Sequence, residues 1–469
     1  MSFSDSEIHI LASDSSDLYP IQALEYLTER KARVSIGLRS EIEELIERFY
    51  GDGPTSMAAL VEGFDAKSDP ADDVEHLRDM ASEAPLIRLV NLMIQRAVEL
   101  RASDIHIEPF DNQLKVRYRV DGVLQDAEAP PANSAAAVIS RIKIMANLDI
   151  AERRLPQDGR IMLRSQGKEL DLRVSTLPTR FGESVVMRLL DRETLRFDFA
   201  DLGFSGPPLE RFLALLEQPN GILLVTGPTG SGKTTTLYTA LSRLNTAERK
   251  IITVEDPVEY QIAGINQTQV KPEIGLDFAD ALRSIVRQDP DVIMIGEMRD
   301  LQTARIAIQS ALTGHLVLST LHTNGALASI TRLLDMGVEP YLIASTVNGI
   351  QAQRLVRRLL PACCEAYEPD AQTIHRYALE QYTTERPILL FRPRPGVADS
   401  QAYRGRQAIT ELLVMNEALR TLIIEKASAS VLERAARAEG FHSLYEDGIR
   451  QALAGVTTLE EVLRVTRGE

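Results

Sequence analysis

Hydrophobic periodicity predicts a mixed helix and strand region after residue 80. Hydrophobic residues at positions 86, 87, 90, 94, 97 and 98 recur every three or four positions, and Pro85 suits the first turn of a helix. Positions 114, 116, 118 and 120 are hydrophobic and alternate with basic residues, and Asp121-Gly122 then supplies a hairpin turn. Two more strand patterns follow at 170–175 and 184–190. We therefore predict an α+β domain over residues 81–200.

The pattern changes after Gly221 to short, continuous apolar runs separated by helical stretches. These runs are ILLVT (222–226), KIITV (250–254), DVIMI (291–295) and HLVLSTL (315–321). Continuous apolar strands are typical of a parallel sheet that is covered on both faces. Helical patterns fill the chain from 416 to about 466. Residues 201–469 are therefore predicted to form an α/β domain with a mainly parallel sheet and a C-terminal helical region.

The first 80 residues differ from the rest in charge, with 18 acidic and 7 basic residues against 49 and 45 in the remainder. They contain one helix-like stretch at 40–50, followed by the linker sequence DAKSDPADD at 65–73. We expect residues 1–70 to form a small or partly flexible acidic element and 71–80 to form a linker. A disordered acidic tail is the alternative.

Composition narrows the class of protein. The 469 residues are 44% hydrophobic, which is enough for several cores, and the net charge of −15 argues against a basic nucleic-acid binder. The two cysteines, Cys363 and Cys364, are adjacent, so a disulfide framework is excluded and a reducing compartment fits. The acidic start lacks the pattern of a signal peptide, and no run of about 18 apolar residues predicts a membrane span.

A phosphate-binding loop is the strongest chemical signal. The sequence GPTGSGKT at 227–234 matches G-x-x-x-x-G-K-[ST], follows an apolar strand and precedes a helical pattern. Glycines let backbone N–H groups face phosphate oxygens, a helix N-terminus adds partial positive charge, the lysine contacts the β and γ phosphates, and the threonine hydroxyl can bind Mg²⁺. A simple glycine-rich turn is the alternative. The predicted nucleotide-binding residues are Gly227, Pro228, Thr229, Gly230, Ser231, Gly232, Lys233, Thr234 and Thr235.

Hydrolysis also needs carboxylates and positive charge near the phosphates. Glu255 and Asp256 end the second apolar run, and Glu297 follows the third, after a glycine where an aspartate is usual. Ligands gather at the carboxyl ends of strands in such sheets, although loop carboxylates with helix-capping roles are the alternative. His315 and His322 flank the fourth run, where either a phosphate-sensing or a structural role fits.

Several long motifs now identify a resemblance. The sequences 227–238, TVEDPVEY (253–260), 282–300 and ALTGHLVLSTLHTN (311–324) resemble the Walker A, Asp box, Walker B and His box of the secretion ATPases of type II secretion and type IV pilus assembly. ASDIHIEP (102–109), RLPQDGR (154–160) and GESVVMRLL (182–190) resemble the second N-terminal domain of that family. The end of the chain, GVTTLEEVLRVT (455–466), resembles its type II branch, the general secretion pathway protein E type.

The resemblance covers about residues 80–469 and implies a RecA-like ATPase domain preceded by a smaller, PAS-like α+β domain. It implies ATP and Mg²⁺ as ligands, with Thr234 and Glu297 near the metal and Glu297 as the water-activating or metal-linked carboxylate. Glu255, with Asp256 and Glu259, would belong to the phosphate site. The further catalytic candidates that it implies are His315, His322, Arg160, Arg173 and Arg188. These arginines would reach the nucleotide from the same subunit or from a neighbouring one, and solvent-facing strand positions are the alternative.

The resemblance also implies a cytoplasmic homohexamer that works at the inner membrane through secretion platform and anchor proteins, drives pseudopilin assembly and binds no nucleic acid. Many relatives carry a four-cysteine zinc site, of which only Cys363 is present here, so we expect no structural zinc. A type IV pilus motor, a nucleic-acid motor and a structural hexamer locked by nucleotide are the alternative functions.

Overall fold

The structure, a computed structural model, describes residues 84–165, 168–191 and 198–466 continuously, together with residue 81 and parts of the segment 2–37. The N-terminal part forms a three-stranded sheet of β1 (Ser2–Phe3), β2 (Glu7–Ala12) and β3 (Lys31–Ile36), with β2 parallel to β3. The hydrophobic pattern of this segment did not predict these strands. The helix-like stretch at 40–50 and the linker at 65–73 lie outside the described residues, so the N-terminal boundaries stay predictions.

The next unit is a six-stranded antiparallel sheet in the order β6-β5-β4-β9-β8-β7, packed against two helices. The buried side chains of the helices and of the alternating strand positions share one apolar core, as the sequence pattern predicts. The predicted hairpin at Asp121-Gly122 is confirmed, and both residues have positive φ angles. The elements are α1 (Ala84–Glu99), β4 (Ala102–Pro109), β5 (Leu114–Val120), β6 (Val123–Ala127), α2 (Ala135–Met145), β7 (Gln157–Ser165), β8 (Lys168–Thr179) and β9 (Gly182–Asp191).

The third unit is a seven-stranded sheet in the order β12-β11-β13-β14-β10-β15-β18, in which every neighbouring pair is parallel except β15 and β18. The predicted α/β class with a mainly parallel sheet is confirmed. The strands are β10 (Gly221–Thr226), β11 (Ile251–Glu255), β12 (Asn266–Gln269), β13 (Val292–Ile295), β14 (Leu316–Leu321), β15 (Val347–Leu359) and β18 (Tyr403–Val414).

Helices cover both faces of this sheet, and an apolar core lies on each face. Every residue of β10, β11, β13 and β14 is buried, which explains why these strands read as continuous apolar runs. The helices are α3 (Gly206–Leu216), α4 (Lys233–Leu244), α5 (Phe278–Ile285), α6 (Leu301–Leu312), α7 (Ala326–Asp335) and α8 (Pro340–Thr346).

The C-terminal region adds a two-stranded sheet and mostly helices, as predicted after 416. Its remaining elements are β16 (Cys364–Tyr367), α9 (Ala371–Arg376), β17 (Leu390–Pro393), α10 (Asp399–Ala402), α11 (Glu417–Ile424), α12 (Ala429–Ala438), α13 (Leu444–Leu453) and α14 (Leu459–Thr466). Glu411, buried on β18, accepts hydrogen bonds from the first amides of two helices, Ala326 N at 2.5 Å and Leu444 N at 3.0 Å. This carboxylate ties α7 and the C-terminal helix α13 to the sheet.

Both cysteines are free and half-buried, and the described residues include no cluster of histidine, cysteine, aspartate and glutamate side chains that fits a metal ion. Within the part of the chain that the structure describes, we find no helix with the length and apolar character of a membrane span.

Candidate active site

The phosphate loop connects the carboxyl end of β10 to the N-terminus of α4. Gly232 starts α4 with a left-handed φ of 88°, and Gly227 has a φ of 148°. A Cβ atom on Gly227 would lie 2.5 Å from Ser231 Oγ and 2.6 Å from the carbonyl oxygen of Gln353. Only glycine fits this turn, and the loop therefore exposes its backbone amides at the start of a helix, where phosphate binds well.

Lys233 lies inside the loop, with its ammonium group donating hydrogen bonds to the carbonyl oxygens of Gly227 at 2.8 Å and Pro228 at 3.0 Å. Burial lowers the pKa of Lys233 to about 8, while Glu297 opposes this shift and Arg354 adds to it. The charge is therefore held close to the amides that face a phosphate. A triphosphate supplies better acceptors than two carbonyl groups, because its oxygens are negatively charged.

Gln353, a buried residue of β15, joins the phosphate loop and α4 to the sheet through hydrogen bonds. Its Nε2 donates to the carbonyl oxygen of Ser231 at 2.8 Å, and its Oε1 accepts a hydrogen bond from Thr236 at 2.9 Å. Gln353 is not among the site residues predicted from the sequence. The sequence shows a polar glutamine at this position, but only the structure shows that its side chain is buried.

Glu297 and His322 follow β13 and β14 and lie beside the phosphate loop. His322 Nε2 is 3.5 Å from Glu297 Oε2, and the Arg299 guanidinium contacts Glu297 and lies 3.8 Å from Asp256. Burial and the charge of Lys233 lower the pKa of His322 below its ordinary value of 6.5, against the opposite effect of Glu297, so the imidazole is neutral at pH 7. The parallel strands thus bring a cation, a carboxylate and an imidazole together at the carboxyl end of the sheet, and the catalytic roles of these residues stay predictions.

Glu255, at the end of β11, lies in the same cleft but is held by other side chains. Tyr238 and Thr253 donate hydrogen bonds to its carboxylate, the latter at 2.6 Å, and Gln267 Nε2 donates at 3.2 Å. Tyr238 belongs to α4, so Glu255 joins the helix of the phosphate loop to the neighbouring strand. These contacts indicate that Glu255 positions α4 relative to β11. A direct role of Glu255 in catalysis stays a prediction.

His315 lies at the other end of the sheet. Its carbonyl oxygen accepts a hydrogen bond from Gly221, the first residue of β10, and its Nδ1 lies 2.8 Å from the carbonyl oxygen of Ser310. The phosphate loop follows the last residue of β10, so the length of a whole strand, about 20 Å, separates His315 from it within one subunit. The expected phosphate role of His315 is therefore not supported by its position, and only His322 joins the cleft.

The three predicted arginines of the α+β domain take different positions. Arg188 on β9 lines the cleft and pairs with Asp104 at 2.9 Å. Arg173 on β8 reaches across to Glu259 of the Asp box at 3.0 Å. Arg160 pairs with Asp171 on the neighbouring strand of its own sheet and is not among the residues that line the cleft.

The cleft has a volume of about 1060 Å³ and lies between the two units. One wall is the phosphate loop with the carboxyl ends of β11, β13 and β14, and the other is the sheet of the α+β domain, including Arg119 and Arg188. The exposed hydroxyl of Thr234 and the carboxylates of Asp256 and Glu297 face this space. Mg²⁺ is usually bound through one or two such oxygen donors together with phosphate oxygens and water, so these residues fit the metal that accompanies a nucleotide although they do not form a preformed cluster of metal ligands.

We predict that the ion pair between Arg173 and Glu259 couples the two units during turnover. Arg173→Glu and Glu259→Arg each place like charges at this contact between the two units and should lower the ATPase rate about tenfold, whereas the double variant recovers most of the loss. Steady-state ATPase assays of all four proteins measure the coupling. The same exchange between Arg392 and Glu365, 2.9 Å apart on β17 and β16, serves as the control and should change nothing. A double variant no faster than the single ones would contradict the coupling.

We also predict that kcat/KM for ATP falls as the pH rises through about 8, because free Lys233 loses its proton there. Bound phosphate favours the charged amine, so the alkaline limb of kcat should lie at higher pH than that of kcat/KM. The measurement is a set of Michaelis–Menten curves between pH 6 and 10, with Lys233→Arg as the variant whose side chain stays charged. Superimposable alkaline limbs for the two parameters would show that another group titrates.

Comparison with known proteins identifies the family of the chain. The sequence model of the family described as Type II/IV secretion system protein matches residues 79–464, and that of the MshEN domain matches residues 1–56. The chain is 64% identical over 462 residues to the Type II secretion system protein E of Xanthomonas campestris pv. campestris, covering 98% of this chain and 82% of the relative. It is 45% identical over 482 residues to the Type II secretion system ATPase E of Vibrio cholerae, covering 99% and 93%.

A pilus protein and two solved structures extend the comparison. The chain is 46% identical over 460 residues to the Type IV pilus assembly ATPase PilB of Myxococcus xanthus, covering 96% of this chain and 81% of the relative. The pilus retraction motor PilT with bound ADP matches with a TM-score of 0.53 at 27% identity, covering 80% of this chain and 96% of that one. The ATPase DotB of Legionella pneumophila, with a TM-score of 0.59 at 21% identity over 81% and 95% of the two chains, shares the fold. The chain therefore belongs to the type II/type IV secretion ATPase family, and it is an ATPase with the RecA-like fold.

Proposed function

We propose that this ATPase is the motor of a type II secretion system and drives pseudopilus assembly and protein export. The similarity to two proteins named as type II secretion components supports the system. The observation that carries the mechanical part is the shared cleft, because the phosphate loop and the arginines of the α+β domain face the same space. A nucleotide in this cleft contacts both units at once, so its binding energy depends on how they are oriented.

The chemistry assigned to the chain's own residues follows from their positions. The phosphate loop and Lys233 hold the triphosphate, Glu297 orients or activates the attacking water, and neutral His322 lies beside it as a hydrogen-bonding partner. Thr234 and Glu297 would hold Mg²⁺, which would supply positive charge against the phosphates. Arg188 faces them from the opposite wall, as a residue of this subunit or toward a neighbour.

Hydrolysis lowers the negative charge of the nucleotide that lies between the two walls of the cleft. Loss of the γ phosphate removes negative charge that attracts Arg188 and Arg119 toward the phosphate loop, so the preferred orientation of the two units differs before and after the reaction. We propose that six copies carry out this cycle in a ring in the cytoplasm. The N-terminal element of residues 1–70 would attach the ring to inner-membrane secretion platform and anchor proteins.

Deleting the gene and measuring two outputs tests the proposal. Loss of exoprotein release with normal twitching motility is expected, and the intact gene should restore release. Loss of twitching with normal release would favour the second candidate, a type IV pilus assembly motor, which is supported by the 46% identity to PilB. Purified protein without Mg²⁺-dependent ATPase activity would contradict both.

A further inference from the structure

The strand order indicates how a nucleotide is oriented in the cleft. Glu297 and His322 follow β13 and β14, which lie on one side of β10, whereas β15 lies on the other side. The phosphate loop after β10 holds the middle of the triphosphate, and the reacting γ phosphate belongs beside the carboxylate. The other end of the nucleotide, the ribose and base, must therefore extend toward β15.

The side of the cleft near β15 has a different lining from the phosphate end. Leu355 of β15 lies next to the phosphate loop, since a Cβ atom on Gly232 would be 3.5 Å from its Cδ2. Leu190 of the α+β domain also lines this cleft. The last turn of α14, far along the chain from the loop, adds Arg464 and Val465. This side of the cleft therefore combines aliphatic side chains with guanidinium groups, since Arg354 of β15 and Arg406 of β18 line it together with Arg464.

Arg464 is fixed in place by a buried carboxylate. Its Nε and one Nη donate to Glu461 at 2.9 and 2.8 Å, and Glu461 also accepts from the backbone amide and guanidinium of Arg357 on β15, at 3.1 and 2.8 Å. Burial alone would raise the pKa of Glu461, but the hydrogen bonds from the two arginines outweigh it and lower the pKa to about 2. Arg464 still has 45% of its side chain exposed, so a rigid planar cation faces outward from α14.

We propose that Arg464, with Val465, Leu355 and Leu190, forms the base subsite of the nucleotide cleft, in which the guanidinium plane stacks on the purine ring. A fixed guanidinium and aliphatic side chains suit a flat, weakly polar ring, because the cation is already desolvated on one side and loses little freedom on binding. This inference rests on the proposed nucleotide-driven function. It assigns the C-terminal helix, which lies outside the P-loop motifs, a direct part in nucleotide binding.

Comparing the affinity for ADP with that for inorganic pyrophosphate distinguishes contacts to the base from contacts to the phosphates. Calorimetric titration of the full chain with each ligand, in the presence of Mg²⁺, should show that Arg464→Ala raises the Kd of ADP about tenfold and leaves that of pyrophosphate unchanged. Arg464→Lys keeps the charge without the plane and should recover little of the loss. Arg437→Ala on α12 removes an arginine of similar exposure, 41%, that pairs with Glu446 and is not among the cleft residues, and should match the wild type.

Two results would overturn the base subsite. An unchanged Kd of ADP in Arg464→Ala would show that the side chain does not touch the base, and an equal rise for ADP and pyrophosphate would place it at the phosphates or in the support of the whole cleft. Both results leave the proposed function standing if the wild-type chain binds ADP and hydrolyses ATP. A wild-type chain that does neither would instead reject the proposed function itself.

Discussion

Replacing Lys233 by alanine should lower ATP turnover by about a hundredfold or more while the chain stays folded. The lysine is the cation buried inside the phosphate loop, with its ammonium group 2.8 Å from one loop carbonyl and 3.0 Å from another. Removal of one preorganised donor from a charged transition state typically costs two to three orders of magnitude, roughly 3–4 kcal/mol. Nucleotide affinity falls as well, because the variant loses positive charge in a largely dry loop.

The fold should survive because alanine removes a buried charge together with its hydrogen bonds. The carbonyl group of Pro228 borders the open cleft, whereas that of the buried Gly227 loses its donor, so a loss of stability of about 1–3 kcal/mol is expected. Thermal unfolding and ATPase assays are the measurements. Lys250→Ala is the matched control, since this lysine donates to the carbonyl of Gln288 outside the cleft. Undiminished hydrolysis by a folded Lys233→Ala protein would remove the loop from the mechanism.

The central sheet and the phosphate loop were predictable because their signals are local. The apolar run at 222–226 corresponds to the strand Gly221–Thr226, and the run at 291–295 corresponds to the strand Val292–Ile295. Strands buried on both faces need apolar residues throughout, so the sequence shows them directly. Likewise, the glycines of the phosphate loop follow from backbone geometry that no other residue allows at Gly227.

The parts that escaped prediction depend on contacts between distant segments. β15 and β18 carry arginine and glutamine side chains that find partners only in the folded chain, such as Gln353 with Ser231. The pair of Arg173 and Glu259 joins residues 86 positions apart, which no local pattern shows. The sequence alone does, however, separate His315 from His322. The two residues flank one predicted strand and are seven positions apart, so about 23 Å of extended chain places them at opposite ends of that strand.

Replacing Glu297 by glutamine should abolish hydrolysis while preserving nucleotide binding. The amide keeps the size of the side chain and its contacts near Arg299 and His322, but it cannot carry the negative charge or accept a proton from water. We therefore expect kcat to fall by about a hundredfold or more, with little change in the Kd of ATP. Glu433→Gln is the control, because that carboxylate also accepts from an arginine, Arg437 at 2.9 Å, on the exposed side of α12.

The magnesium dependence of the same variant distinguishes the two roles proposed for Glu297. If the carboxylate activates water, the Mg²⁺ concentration for half-maximal ATP binding stays at the wild-type value and only the chemical step slows. If it holds the metal, directly or through water, that concentration rises because one hard oxygen ligand has lost its charge. Titration of ATP binding at several Mg²⁺ concentrations, alongside single-turnover hydrolysis, separates these cases. Wild-type turnover in Glu297→Gln would contradict both roles and leave Asp256, which shares Arg299 with it, as the carboxylate of the cleft to test.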